Sequence, residues 1–550
     1  MKRKKAAAAP FAFIAALAAV LLLSPLPAEV QAPLEFVTVF GEMAPEFDPH
    51  LSIYSNEAQI FTALYEGLFT YDPSSLEPLP GSVDTWTKSK DGKIYTFTLK
   101  KDLRWSDGSA LTASDFVESW LRILEKDAQY ATFFDIIQGA SAYRSGQAKD
   151  PASVGAKALD DLTLEVRLNR PVAYFTRLLC HHSFAPIHPT MIASDSWAFR
   201  IPYPVNGPYR FLSYGAGRLS LEKNPYYWDR EKVAIGKLGF LFTDDDAEAT
   251  LLFNGEEAHW LAGPGDYDLI SLESAIQVNP IFSTHYWYFD ASKAPWDKAE
   301  VRRALALLLP WQELRDSSRY MIPATTLVLP LPGYSSAKGI EKADKAEALS
   351  LLAAAGYPRG KGLPAVEIHF AEGRDSRRVA GIMGKAWKSE LDLELRLVPI
   401  PPAKYYDSIG RGRKADSLVL AHTTWIGDFA DPEAFLQMWT PDSALNDAGF
   451  RNPEFSRILE ESYQKEGRER YALLAEAENV LLSSAAVLPL YHSFAASAID
   501  IDYIDGWYQN ALDIHPYKYL SFGTPSALPN VASASPNPAG PAIHRTAFKP

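Results

Sequence analysis

Short stretches that alternate apolar and polar residues repeatedly give way to stretches with helical spacing and capping signals, and neither pattern takes over the chain. In Tyr95-Thr-Phe-Thr-Leu99, after an Asp91-Gly92 turn, alternation sends Tyr95, Phe97 and Leu99 to one face, predicting a half-buried hairpin strand. Leu164, Val166 and Leu168 repeat the pattern after Asp160-Asp161. Thr112 with Asp115 three residues on predicts a capped helix carrying Phe116, Trp120 and Ile123 on one stripe. Asp297 and Glu300 predict a capping-box-like start to a helix whose Val301, Ala304, Leu305 and Leu308 face inward. Ala343 to Ala355 predicts a helix stopped at Gly356, and Asn452-Pro453 a cap with proline at the first helical position, followed by Phe455, Ile458 and Leu459. Strands and helices interleaved this irregularly predict an α/β chain. Its 550 residues exceed what one core can serve, so two or three lobes are expected.

An apolar fraction of 47% and an aromatic fraction of 12% are too high for a chain that cannot bury surface. The stretch from Gly523 to Pro550, rich in Pro, Ala and Ser without a period, is the exception and is expected to be a disordered tail. No repeat of about 20 to 50 residues is visible, which argues against a solenoid or propeller.

Lys2-Arg3-Lys4-Lys5 followed by the apolar run Phe11 to Leu23 and small-residue sites at Ala28 and Ala32 reads as a secretory signal over residues 1–32. A signal anchor is the alternative, but the run falls short of the about 20 residues a bilayer span needs. Removing residues 1–32 takes away four basic side chains and one acid, moving the net charge from −13 to −16. An acidic exported protein repels nucleic acid. Cys180, the only cysteine, has no intramolecular disulfide partner, and none stands near the cleavage site to take a lipid.

No G-x-S-x-G, H-E-x-x-H, paired C-x-x-C or Gly-rich phosphate loop occurs, so hydrolase, metalloprotease and nucleotide-binding readings lack their central residues. His181, His182 and His188 cluster near Cys180 at a spacing that fits no standard metal motif. Asp244-Asp-Asp246 reads as a helix cap. The expectation is a protein with no catalytic residues, cofactor or metal.

A series of short motifs runs in order along the chain: Phe47-Asp-Pro-His50, Leu64-Tyr-Glu-Gly-Leu68, Asp91-Gly-Lys-Ile-Tyr95, Arg104-Trp-Ser-Asp-Gly108 and Ala158-Leu-Asp-Asp161. Asn206-Gly-Pro-Tyr209, Lys223-Asn-Pro-Tyr-Tyr-Trp228, Val301-Arg-Arg-Ala304, Ala355-Gly-Tyr-Pro358, Trp425-Ile-Gly-Asp-Phe-Ala-Asp-Pro-Glu-Ala-Phe-Leu436 and Leu488-Pro-Leu-Tyr491 continue it. Each alone is weak and reads as turn or core, but their shared order over residues 35 to 522 resembles the extracytoplasmic solute-binding proteins of bacterial ABC importers, of the peptide and nickel type. The resemblance implies a two-lobed periplasmic-binding-protein-like fold with an extra subdomain in the first lobe and a hinged ligand cleft. Mapped here, the first lobe takes residues 33–70, 205–295 and 495–522, the subdomain 71–204, the second lobe 296–494, and the tail 523–550. It further implies a monomer in the periplasm that captures oligopeptides or dipeptides and delivers them to permease subunits in the inner membrane. A nickel chelate, haem, a glycan or an opine on the same fold, or a peptide-sensing receptor or chaperone, are the alternatives.

On the resemblance, Asp428 receives the ligand's terminal ammonium and the backbone of Thr424 and Ile426 pairs with the peptide as an added strand. Trp425 walls a side-chain pocket, and Tyr130 with the segment Ser55-Asn56-Glu57 completes the walls. The plainer reading of Asp428 is a turn residue before the helix start at Asp431-Pro432, where Asp431 is the better cap. In oligopeptide binders a basic residue three positions before the Trp helps meet the ligand carboxylate. This chain has His422 there, a weaker, pH-dependent partner. Arg374 is the other candidate for that end.

Overall fold

The computed structural model describes residues 35–42, 47–52, 55–126, 128–192, 197–316, 321–331, 333–335, 337–410, 414–427, 429–441, 443 and 445–523. The expected signal segment and the tail from residue 524 onward lie outside the described residues.

Along the chain, strand β1 (Glu35–Phe40) and helix α1 (Ser55–Leu64) come first. They are followed by β2 (Val83–Lys88), β3 (Ile94–Leu99), helix α2 (Ala113–Glu125), β4 (Ala156–Asp160) and β5 (Thr163–Arg167). Those four strands form their own antiparallel sheet in the order β2-β3-β5-β4. Tyr95, Phe97, Leu99, Leu164 and Val166 are buried on its inner face as the alternation predicts. Against it packs α2, with Phe116, Trp120 and Ile123 inward and the Asp115 carboxylate accepting the Thr112 N–H at 2.7 Å.

The chain continues through β6 (Tyr209–Gly215), β7 (Arg218–Lys223), β8 (Lys237–Phe242), helix α3 (Asp246–Asn254), β9 (Trp260–Ala262) and β10 (Ile276–Phe289). Next come helix α4 (Ala299–Leu307), β11 (Ile322–Pro323), helix α5 (Lys345–Ala354), β12 (Val366–Ala371) and helix α6 (Arg374–Leu391). Last are β13 (Leu395–Ile400), β14 (Leu420–Ile426), helices α7 (Pro453–Ser462) and α8 (Gly467–Ser483), and β15 (Val487–Ile499). Eleven of these strands build one mixed sheet in the order β13-β12-β14-β10-β15-β9-β1-β8-β7-β6, with β11 added on β15.

Two strands hold this sheet together. β10 and β15, 14 and 13 residues long, pair antiparallel from Ile276↔Ala498 to Tyr288↔Val487. At about 3.3 Å per residue each spans roughly 45 Å, more than a usual single-lobe strand needs. One end of the pair joins β9 and β1, the other joins β14 and β12. The ladder breaks between Pro280 and Thr284. Pro280 has no N–H to give to the ladder at this point. Distinct apolar cores flank the crossing: one around Phe36, Tyr209 and Trp260, another around Trp287, Leu305 and Trp387. A third runs from Phe97 of the small sheet and Trp120 of α2 into Leu459 and Leu482 of α7 and α8. This is a two-lobed α/β fold with an added subdomain.

Local signals met mixed outcomes. Asn452 accepts the Glu454 and Phe455 N–H groups at 2.9 and 3.0 Å with Pro453 behind it, and Asp245 caps α3 in the same way. Asp344 accepts the Glu347 N–H at 2.9 Å, so α5 begins at Lys345 instead of Ala343. The expected start at Asp297 is corrected: α4 begins at Ala299, because Asp297 belongs to a turn in which its N–H donates to the Lys293 carbonyl at 2.8 Å. The carbonyls of Trp296 and Asp297 are held by the buried Arg302 guanidinium at 2.7 and 3.0 Å.

Candidate functional site

β14 carries four of the nine residues singled out from the sequence, His422, Thr424, Trp425 and Ile426, and among the described residues one of its edges is open beyond its first residues. On one side it pairs antiparallel with β10 from Leu420↔Phe289 to Ile426↔Ser283, and Gly427 donates its N–H to the Phe282 carbonyl at 2.7 Å. On the other side β12 reaches it only through Ile368↔Leu420 and His369↔Ala421. The Tyr405 hydroxyl then closes this edge at His422, accepting its N–H at 2.9 Å. Backbone groups of successive strand residues point to opposite sides. Since those of His422 face the β12 side and the Gly427 N–H faces β10, the N–H and C=O of Thr424 and Ile426 are directed at the open side. A Cβ on Gly427 would lie 2.3 Å from the Phe282 ring, so glycine is what lets the chain leave the strand here.

His422, Thr424 and Ile426 share one face of β14; Trp425 lies on the other, its indole donating to the Ala434 carbonyl at 2.8 Å. Beside His422 and Thr424 stands His285 of β10, its two ring nitrogens 2.8 Å from the Thr424 hydroxyl and 3.0 Å from that of Ser493. The His285 and His422 rings stack at 6.0 Å. Burial, with His285 alongside, pushes His422 down to about 3, and burial lowers His285 against the pull of Asp375. Both shifts favour the neutral imidazole, since burial and a neighbouring ring penalise its charged form. Arg374 opens α6 just past the end of β12 and is exposed.

Asp428 lies outside the described residues; its neighbours are described. Phe429 stacks on Tyr174 of the subdomain at 4.7 Å and meets Phe133 edge-on at 6.4 Å. Phe133 contacts Tyr130 at 5.1 Å, Tyr130 contacts His182 at 5.6 Å, and His182 contacts Phe61 of α1 at 5.2 Å. A chain of rings thus joins the loop after β14, the Tyr130 region and α1. Ser55 and Asn56 open α1, and Asn56 is half-buried. In the same turn the buried Glu57 carboxylate accepts the Ser52 hydroxyl. His181 and His182 lie ring to ring at 4.1 Å within this group, while His188 sits apart, against Trp105 and Ser109.

Sequence reasoning missed what holds the loop. Asp431 accepts the Glu433 N–H at 3.0 Å as a cap would, but its carboxylate is also taken by the buried Arg470 at 2.7 and 2.8 Å. Arg470 reaches Glu433 as well, at 2.7 Å. From the subdomain, Arg170 approaches Glu433 at 3.4 Å, and Arg177 donates to the Ala430 carbonyl at 2.8 Å and the Tyr471 hydroxyl at 3.0 Å. Asp431 and Glu433 are visible beside Trp425 in the sequence, but nothing local points to an arginine nearly 40 residues later. A cavity of about 470 Å³ follows this seam, lined by Lys88, Arg177, Asp431, Arg470 and Tyr471.

The family described as bacterial extracellular solute-binding proteins, family 5 middle, matches residues 77–447. Among characterised proteins, the oligopeptide-binding protein OppA of Bacillus subtilis is 27% identical over 486 residues, covering 84% of this chain and 86% of the relative. The periplasmic oligopeptide-binding protein OppA of Salmonella typhimurium is 27% identical over 472 residues, covering 82% and 86%. Among solved structures, the unliganded open form of the periplasmic murein tripeptide-binding protein MppA superposes with a TM-score of 0.75 at 25% identity, over 89% of this chain and 97% of that one. This chain belongs to family 5 of the bacterial extracellular solute-binding proteins.

Proposed function

We propose that the protein is the substrate-binding subunit of an ABC importer, a periplasmic monomer that captures peptides between its lobes and hands them to an inner-membrane permease. The observation that carries this reading is the open edge of β14, where Thr424 and Ile426 present paired backbone donors and acceptors to an incoming strand. Affinity drawn from main chain suits a ligand that is itself main chain. The names of the relatives, oligopeptide binders at 27% identity over most of both chains, support the same cargo. In this reading Asp428 neutralises the peptide's ammonium. Trp425, Tyr130, Ser55 and Asn56 line the space around it, and the lobes close over the ligand by bending at the interrupted β10–β15 ladder.

Calorimetry with a free-amino tri- to pentapeptide and its amino-acetylated twin tests this reading. The free peptide is expected to bind and the acetylated one to lose about a hundred- to a thousandfold, the effect of removing one partner of a buried charge pair. Asp428→Asn is expected to lose as much for the free peptide. Equal binding of the two peptides would remove the ammonium role, and no binding of any peptide would remove the cargo.

A further inference from the structure

The far end of the ligand meets a different chemistry. The face of β14, β10 and β15 beside the open edge presents His422, Thr424, His285 and, from β15, Ser493, all half-buried, with the exposed Ile426 at its end. Both His285 nitrogens are engaged by the hydroxyls of Thr424 and Ser493, and Ser493 in turn meets Ser283 at 3.0 Å. None of these groups carries a fixed charge. Protonating either histidine would set a cation against its stacked neighbour in a partly dry site, and burial already drives His422 to about 3.

Among the described residues, the arginines of α6 beside this face are committed or exposed. Arg378 of α6 is bound to Asp375 at 3.1 Å and to the Tyr491 hydroxyl at 3.1 Å, and Asp375 is the acid that faces His285. Arg374 remains, at the rim and in water. A carboxylate laid along this face would give up hydration without gaining a buried counter-charge. A pair with exposed Arg374 is worth at most about fivefold in affinity.

We propose, resting on the peptide reading above, that the site reads its ligand from the amino end alone and meets the carboxyl end with neutral hydrogen-bonding groups, so that a peptide and its carboxamide bind alike. The cargo class is then amino-terminated chains whose far end is unspecified: free, amidated or running on beyond the site.

The test is calorimetry at pH 7 with one peptide sequence as free acid and as carboxamide, against the wild-type protein. Dissociation constants within about fivefold of each other are expected. If both bind and the acid is tighter by tenfold or more, this inference falls and the peptide reading stands; if neither binds while another solute does, both fall. His422→Arg would place a fixed cation on the face, and a variant that binds is expected to favour the acid by tenfold or more. Equal binding of acid and amide by that variant would also overturn the inference, because a charge at this position would then not be felt by the ligand.

Discussion

The open edge of β14 and the seam a few residues further along the chain are built from opposite materials. At the edge, no described residue pairs with the backbone groups of Thr424 and Ile426, and the flanking face carries the stacked rings of His285 and His422 in place of a fixed charge. At the seam, Asp431, Glu433, Arg470, Arg170 and Arg177 interlock between subdomain and second lobe, several of them buried. Fixed charge holds the protein's own loop at the seam, while the face beside the strand edge is neutral; on the proposed reading the charge a peptide meets is that of Asp428, beyond the end of the strand. A buried pair is expensive to break, whereas an unpaired strand edge offers hydrogen bonds that water can take over when the ligand leaves.

The comparison breaks most visibly at Arg470. Replacing it with Met strands two buried carboxylates and is expected to cost about 3 to 5 kcal/mol, read as a loss of denaturant midpoint. A loss below about 1 kcal/mol would mean the seam is not the stabilising element described here.

A second test uses Glu478 of α8, on the same side of the molecule. Its carboxylate accepts the N–H groups of Leu327 and Val328 at 2.8 and 2.9 Å and the Tyr334 hydroxyl at 2.7 Å, and burial pushes it up to about 7. A carboxyl raised above its unfolded value favours the fold while protonated. Its contribution is therefore whole below about pH 4.5 and lost as pH rises through about 7, on the order of 3 kcal/mol. Urea titrations across that window should show the decline, and Glu478→Gln should flatten it.

The smallest effect is expected back at the edge. Ile426 is 60% exposed although apolar, so Ile426→Ser should change stability by less than about 1 kcal/mol. A larger loss would show that the edge is covered by protein and unavailable to a ligand.

Much of the fold was legible because its signals are local. The alternation of Tyr95, Phe97 and Leu99, the cap at Thr112 and the Asn452-Pro453 pair each act within a few residues, and the structure uses all three. Asp297 misled because the turn it sits in depends on Arg302 gripping the carbonyls of Trp296 and Asp297, a contact that no capping pattern encodes. At the site, the family resemblance singled out His422, Thr424 and Ile426, but among the described residues the edge they flank is open only because β12 pairs two residues of β14 and no more.

By itself, then, the amino-acid order determined the α/β character, the many lobes and the order of motifs that marks a solute-binding chain, since periodicity, turns and caps are short-range properties. The tertiary structure alone decided that His422 stacks beside His285, that Asp431 belongs to Arg470, and which backbone groups of the described residues remain unmet. Burial, the distance between charges and the presence of a neighbouring strand are set by residues far apart in the chain, and only folding brings them together.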